Sequence, residues 1–206
     1  GLKRVVFAGE GPEFIGREAF ARSGLKSFVG PASLRRIGEF AFACCEGLRH
    51  ADLGACALQG VCGEGQWFRH VFEDCGLESV VLPPTLRAVG DCAFAGCRRL
   101  RSVSFGEDSL LEEVGPLAFL NCGLEAFEAP ARLRRVGELA FAGCGALRVF
   151  RPNEGLRELG ALCLWRTGAS RPRMSPCVRR TRAQLGLGRD PGVLRLPEGL
   201  DVVGEG

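Results

Sequence analysis

The stretch from Leu77 to Cys97 reads LESVVLPPTLRAVGDCAFAGC. Its pattern is L-x-x-V-x-L-P-x-x-L-x-x-V-G-x-x-A-F-x-x-C-x-x-L, in which the last Leu opens the next copy. Spacings of 23, 23, 29, 23, 24 and 23 residues separate copies that open at Leu2, Leu25, Leu48, Leu77, Leu100, Leu124 and Leu147. A recurrence of this length predicts a solenoid of stacked repeats.

Each copy divides into three pieces. The opening piece alternates apolar and polar residues, as at Val80 and Leu82, which predicts a short strand with one buried face. An apolar pair such as Leu86 and Val89 follows, and we expect the glycines after it to serve a tight turn. The Ala-Phe pair and the Cys three residues later fit one helical turn. The turn glycines are Gly38, Gly90, Gly115, Gly137 and Gly160.

Stacking supplies the face that a single repeat lacks, so equivalent residues should form columns. The predicted aromatic column contains Phe20, Phe42, Phe72, Phe94, Phe119 and Phe141, and Leu164 ends it. Five cysteines share one repeat position and should be small buried hydrophobes rather than reactive thiols. They are Cys45, Cys75, Cys97, Cys122 and Cys144.

The copies LESVVLPPTLRAVGDCAFAGC and LEAFEAPARLRRVGELAFAGC resemble the BspA-like leucine-rich repeats. The resemblance covers residues 2–168. It implies a leucine-rich-repeat solenoid of parallel short strands stacked with turns and short helical turns, in about seven repeats of about 23 residues. It also implies a non-enzymatic protein of bacterial or protist cell surfaces that acts in adhesion or protein binding.

Three departures from the pattern set the predicted domain boundaries. Residues 1–168 form the solenoid, whose third repeat (48–76) is irregular and places Trp67 and Phe68 in a protruding loop. Residues 169–191 are a basic, Arg-rich linker, and residues 192–206 are a partial repeat. Because that repeat stops before its Ala-Phe pair, we expect the chain to be a piece of a longer array or a divergent remnant.

The exposed strand positions are the predicted route to function. Open sheet faces of repeat proteins commonly bind other proteins, and these positions carry mixed charge. We predict recognition of a protein or a surface glycoconjugate, with candidate contacts at Lys26, Arg49, Asp52, Arg101, Ser104, Glu128 and Arg151.

Two alternatives use other residues. Cys56, Cys62, His70 and Cys75 are four potential zinc ligands in the third repeat, although they lack a tight C-x-x-C spacing. Nucleic acid is disfavoured, because acidic residues interleave with the basic ones and no aromatic residue lies within the Arg-rich segment. The basic candidates before the turn glycines are Arg35, Arg36, Arg87, Arg134, Arg135 and Arg157.

Several function classes find no support in the sequence. We predict no enzymatic activity and no cofactor, because His50 lies beside Asp52 without a nucleophile that the sequence places nearby. No apolar run reaches the roughly 18 residues of a membrane span, so membrane insertion is not expected. The first residues lack the layout of a signal peptide, but the chain begins at Gly1, so the sequence leaves the compartment open.

Overall fold

The computed structural model describes residues 1–7, 9–58 and 68–168, and the backbone of two short strands further on. The described chain winds as a solenoid, and none of its residues is helical. The chain forms a sheet that we call the long face, a second ladder of two-residue strands, and a segment of consecutive turns in each coil that we call the turn ribbon. Five of the coils have a described strand in both the long face and the second ladder.

The long face is a parallel sheet with one strand per coil. Its strands alternate in burial, with Phe28, Val80 and Phe150 pointing into the core and their neighbours pointing outward. The strands pair in the order β2-β4-β5-β7 and, separately, β9-β11. They are β2 (Ser27–Val29), β4 (His50–Asp52), β5 (Ser79–Leu82), β7 (Ser102–Phe105), β9 (Ala126–Glu128) and β11 (Val149–Arg151).

The second ladder pairs short parallel strands in the orders β1-β3 and β6-β8-β10-β12. Its buried members are the apolar residues that precede the predicted turn glycines, such as Val89 and Val136. The strands are β1 (Phe14–Ile15), β3 (Arg36–Ile37), β6 (Ala88–Val89), β8 (Glu113–Val114), β10 (Arg135–Val136) and β12 (Glu158–Leu159).

The turn ribbon replaces the predicted helical turns. Its backbone N–H groups alternate between two kinds of partner: Ala21 donates within its own turn to Glu18 O, whereas Phe20 and Arg22 donate to the next coil. The inter-coil distances are 2.7 Å from Phe20 N to Ala41 O and 2.8 Å from Arg22 N to Ala43 O. A helix would direct all these donors along its own axis, so the ribbon gains lateral bonds by not being helical.

Two ribbon positions per coil have left-handed backbone angles. The first is occupied by Glu18, Phe40, His70, Cys92, Leu117, Leu139 and Leu162, at φ between 52° and 58°. Left-handed positions are usually predicted from glycine, because other residues seldom adopt this conformation. Since no glycine occupies this position, the sequence does not predict it. The second position follows four residues later and includes Gly96 and Gly143.

The predicted turn glycines do begin turns, as where Gly137 O accepts the Ala140 N–H at 3.3 Å, and they have a second role in coil stacking. Gly137 and Gly160 do not have positive φ values; instead, the backbone of the preceding coil lies against them. A Cβ on Gly137 would lie 2.4 Å from Pro116 N, and one on Gly160 would lie 2.2 Å from Glu138 N. These glycines therefore permit close stacking of coils at the points where the turns begin.

The aromatic column is confirmed. Adjacent rings from Phe20 to Phe141 stack with centroids 5.1 to 5.4 Å apart and interplanar angles of 19° or less. Leu164 lies buried at the end of the column. One continuous core therefore runs through the described coils.

The repeat count differs slightly from the predicted seven. The long face has six described strands because the copy that opens at Leu2 forms none over residues 2–7, although Lys26 N–H donates to Lys3 O. Trp67 lies outside the described residues, whereas Phe68 is buried in the core. The linker (169–191) and partial repeat (192–206) also lie outside, apart from an antiparallel pair of backbone strands, β13 (Val178–Arg179) and β14 (Arg195–Leu196).

Truncating a ring of the column should be costly. Phe94→Ala removes a fully buried ring that stacks on two others, and we expect a loss of about 3 to 5 kcal/mol of unfolding free energy. Phe14→Ala is the control, because Phe14 is half-exposed, and should cost less than about 1 kcal/mol. Denaturant unfolding measures both, and similar small losses would contradict the column.

Adding a methyl group at a stacking glycine should also destabilise the fold. Gly137→Ala directs a Cβ into the preceding coil and should cost about 1 to 3 kcal/mol. Gly145→Ala is the matched control, since its Cβ would meet nothing within 4 Å, and should change stability by less than about 0.5 kcal/mol. Thermal unfolding that ranks the two variants equally would contradict the close-stacking role.

Candidate functional site

The structure brings the seven candidate contacts onto the long face. Lys26, Arg49 and Arg101 immediately precede strands β2, β4 and β7. The other four occupy the outward position of their strands, where Asp52 and Ser104 are each in register with Val81 on the strand between them. Glu128 and Arg151 are likewise in register on β9 and β11.

Two of these candidates are engaged by their own chain. Arg49 is only partly exposed, and its Nη1 donates to Glu46 O at 3.1 Å and to Gly76 O at 3.0 Å. Asp52 Oδ1 accepts the Gly54 N–H at 2.9 Å, which closes a turn at the end of its strand. The structure therefore gives these side chains a local bracing role in addition to any recognition role.

Three of the remaining charged candidates, Arg101, Glu128 and Arg151, belong to exposed ion pairs along the face. Arg101 Nε lies 4.0 Å from Glu125 Oε1, and Arg151 pairs with Glu128. Exposed pairs of this kind contribute at most about 1 kcal/mol to stability. These side chains can therefore pair with charges on a partner instead, with little loss of stability.

Exposed apolar residues lie in the same column as these charges. Val29 is 66% exposed and Val81 is 36% exposed, and Asp52 lies between them in register. A surface that mixes apolar and charged side chains in this way is typical of protein interfaces.

A polar pair on the long face escaped the sequence reasoning. His50 Nδ1 lies 2.9 Å from the hydroxyl of Ser79, which is 29 residues further along the chain but directly in register on the next strand. Each residue lies two positions after the opening Leu of its copy, so stacking of the copies places the two side by side. The pair lies on the open sheet face and adds hydrogen-bonding groups there, in line with Ser27 and Ser102.

The long face is interrupted by a cleft between β7 and β9, which we call the β7–β9 cleft. It has a volume of about 740 Å³. Three of the seven candidates, Arg101, Ser104 and Glu128, line it together with Val103 and Phe105. The repeat pattern alone did not predict this opening.

The five repeat cysteines are buried, as predicted, and they also donate hydrogen bonds. Each thiol donates to the carbonyl oxygen of a column Phe in the preceding coil, at distances from 2.8 to 3.1 Å. For example, Cys97 Sγ lies 2.9 Å from Phe72 O. The cysteines therefore join coils in addition to filling the core.

The pKa values of the repeat thiols are shifted in both directions: the hydrogen bond with Cys75 lowers the pKa of Cys45 to about 6, whereas burial raises the pKa of Cys122 well above its usual range. Burial raises the pKa of Cys97 and of Cys163 to about 12. The hydrogen bond with Cys45 and burial raise the pKa of Cys75 well above its usual range. A thiol with a raised pKa is a poor nucleophile and a poor metal ligand at neutral pH.

The zinc alternative finds no site within the described residues. Cys75 belongs to the buried column, and burial with a smaller effect of Asp52 raises the pKa of Cys56 to about 11. His70 stacks on Phe40, and its Nδ1 lies 2.9 Å from Glu73 Oε2. Cys62 lies outside the described part of the chain, which holds no group of three His, Cys, Asp or Glu side chains placed to bind a metal ion.

The basic line before the turn glycines is interleaved with acids. Arg87 Nη1 lies 2.8 Å from Glu112 Oε1, and Arg135 Nη2 lies 2.7 Å from Glu113 Oε2. The second ladder therefore does not present the continuous basic surface that phosphate contacts require. Over the described ranges, no helix could cross a bilayer.

Comparison with known proteins identifies similar chains. Residues 4–57 and 68–175 match, in six copies, the profile of the family described as BspA type leucine-rich repeat region. The search of curated proteins found no match. Among solved structures, a leucine-rich repeat protein from Bacteroides ovatus is similar, at 23% identity and a TM-score of 0.64 over 75% of this chain.

Two further structures show weaker similarity. A leucine-rich cell surface protein from Faecalibacterium prausnitzii has 17% identity and a TM-score of 0.44 over 76% of this chain. The T. pallidum leucine-rich repeat protein has 19% identity and a TM-score of 0.45 over 71%. The chain covers 38%, 57% and 62% of the lengths of the B. ovatus, F. prausnitzii and T. pallidum proteins, respectively.

The buried thiols should make stability fall at alkaline pH. An unfolded thiol ionises near pH 9, whereas Cys97 and Cys163 stay neutral to about pH 12, so the unfolded chain binds fewer protons over this range. We expect each of these two thiols to lower the free energy of unfolding by about 2 kcal/mol as the pH rises from about 9 to 10.5. The chain contains no tyrosine and only two lysines, so most of the other side chains that titrate there are its remaining cysteines.

Urea unfolding at several pH values measures this effect. Cys97→Ser keeps a hydroxyl donor but removes the titration, so its stability should depend less on pH. Cys44→Ser is the control at an exposed thiol and should retain the full dependence. A flat profile for the unaltered chain would contradict the neutral, buried state of the column.

Proposed function

Because the chain belongs to the BspA-type leucine-rich repeat family, we propose that it is a non-enzymatic scaffold that binds a partner protein through the long face. The observation that carries this proposal is the outward column of β2, β4, β5 and β7, where apolar Val29 and Val81 alternate with Asp52 and Ser104. Adhesion at a cell surface is the finer form of the proposal, and it rests on the family resemblance.

The construction of the solenoid supports a binding role for this face. The strands are joined by hydrogen bonds and supported by the buried column, so their outward side chains are held at fixed spacing. A rigid surface loses little conformational freedom when it binds, and this favours affinity. The outward residues can be substituted without any change to the buried residues.

The chemistry of the face favours a protein over a glycoconjugate. Its outward positions combine aliphatic, acidic and basic side chains with the His50–Ser79 pair. Among the described outward positions of the six strands there is no Phe or Trp ring on which a sugar could stack. A partner with both apolar and charged groups matches these residues better.

Charge substitutions on the long face should weaken partner binding. Val29→Glu combined with Val81→Glu places two carboxylates in the apolar part of the column and should reduce affinity at least about tenfold, which corresponds to about 1.4 kcal/mol. Leu162→Glu is the matched control, because Leu162 is 38% exposed and lies on the turn ribbon. Partners captured from the source cells would be titrated against each folded variant.

The double variant should lose the partner and Leu162→Glu should keep it, while circular dichroism shows both to be folded. Loss of binding in Leu162→Glu with full retention in the double variant would place the binding surface on the turn ribbon and overturn the proposal.

A further inference from the structure

We call the contact between two neighbouring strands of the long face a joint. The joint between β7 and β9 lacks the backbone hydrogen bonds that connect the strands at the other joints. At other joints between long-face strands, the N–H of the fifth residue after the opening Leu donates to the next coil, as from Gly30 to Asp52 O at 2.8 Å and from Leu53 to Val81 O at 2.9 Å. The equivalent bond between Phe105 N–H and Glu128 O is missing, and no ladder joins β7 to β9 in the described sheet.

The opening is confined to this face of the coil. At the start of the joint, Glu125 N lies 3.5 Å from Arg101 O, whereas Arg148 N lies 2.9 Å from Glu125 O at the next joint. The same two coils remain closed elsewhere, because β6, β8 and β10 pair without a break. The aromatic column is also continuous there, because Phe119 and Phe141 stack with their ring centroids 5.2 Å apart.

The cause lies in the connection that follows β7. Nine positions separate Phe105 from Val114, whereas seven separate Leu82 from Val89 in the preceding coil. The longer connection includes Asp108, which has a φ of 59°, and Leu110, whose N–H donates to Pro84 O. We attribute the separation of the strands to the two additional residues.

The opening exposes groups that are covered elsewhere. Val103 and Phe105 are only half-buried, whereas Val80 and Leu82, their equivalents on β5, are fully buried. The β7–β9 cleft therefore has an apolar floor, a free strand edge on each side, and charged residues of both signs at its mouth, including Arg101 and Glu125.

We propose that the β7–β9 cleft binds a segment of a partner protein in extended conformation. A carbonyl oxygen of that segment accepts the Phe105 N–H, one of its N–H groups donates to Glu128 O, and an apolar side chain packs on Val103 and Phe105. This inference rests on the proposed function, since it assigns part of the long face a partner of defined chemistry.

The groups in the cleft select for a peptide main chain. An open strand edge requires alternating donors and acceptors, which an added strand supplies. The cleft volume of about 740 Å³ lies within the range of about 300 to 1,000 Å³ that is usual for binding pockets. The opposite charges of Arg101 and Glu125 at the mouth do not favour a strongly anionic or cationic ligand.

The test uses a displayed library of random linear heptapeptides, selected on the full chain. We expect enrichment of sequences with a central apolar residue, and a selected peptide should slow hydrogen exchange of the Phe105 amide. An ester analogue, in which the bonding N–H is replaced by oxygen, should bind about fivefold more weakly, as expected for one hydrogen bond.

A pair of variants isolates the Phe105 donor. Phe105→Pro removes both the ring and the N–H, and Pro152 occupies the equivalent position after β11, so the fold accepts proline there. Phe105→Ala removes only the ring, and Ala129 is its native equivalent. The selected peptide should bind Phe105→Pro about fivefold more weakly than Phe105→Ala.

Three results would overturn the inference: no enrichment of peptides, equal affinity of the two variants, or protection at Val81 instead of Phe105. A second copy of the chain as occupant would appear as a dimer in sedimentation, and it would also overturn the inference. If the Val29 and Val81 variant loses its partner while no peptide enters the cleft, the proposed function stands and only this inference fails.

Discussion

Half of the backbone donors in each turn ribbon have no partner until the next coil is in place. Phe72 N–H donates to Ala93 O and Asp74 N–H to Ala95 O, both at 2.8 Å, while the intervening donors bond within their own turns. The stacked rings and the thiols that donate to Phe carbonyls lie directly behind these bonds. A single coil can therefore neither satisfy its backbone nor bury its apolar side chains, and stability depends on contacts between neighbouring coils.

This dependence separates the residues that hold the fold from those that are free to carry function. The core positions are fixed by the coil above and the coil below, so the outward columns of the long face are where one coil can differ from another. The β7–β9 cleft shows how a change in one connection can open a single joint while the ribbon and the second ladder remain closed.

The sequence predicted the period, the strands, the aromatic column and the buried cysteines, because these depend on residue types that recur at fixed spacing. It did not predict the turn ribbon, whose left-handed positions are occupied by residues such as Phe40 and Leu117 that rarely adopt such angles. The structure places the seven candidate residues on or beside the strands of one face, and their role as contacts stays a prediction. The bracing bonds of Arg49 depend on the conformation of its side chain, which the repeat spacing does not specify.

The central claim is that hydrogen bonds join the coils along the turn ribbon but are missing between β7 and β9 on the long face. Residue-resolved hydrogen exchange of the native chain tests this claim most directly. The account predicts strong protection of the Phe72 and Phe94 amides and of Leu53 and Ala129, with fast exchange at Phe105. Protection of Phe105 equal to that of Leu53 would mean a continuous sheet without a cleft. Fast exchange at Phe94 would mean that the ribbon does not join the coils.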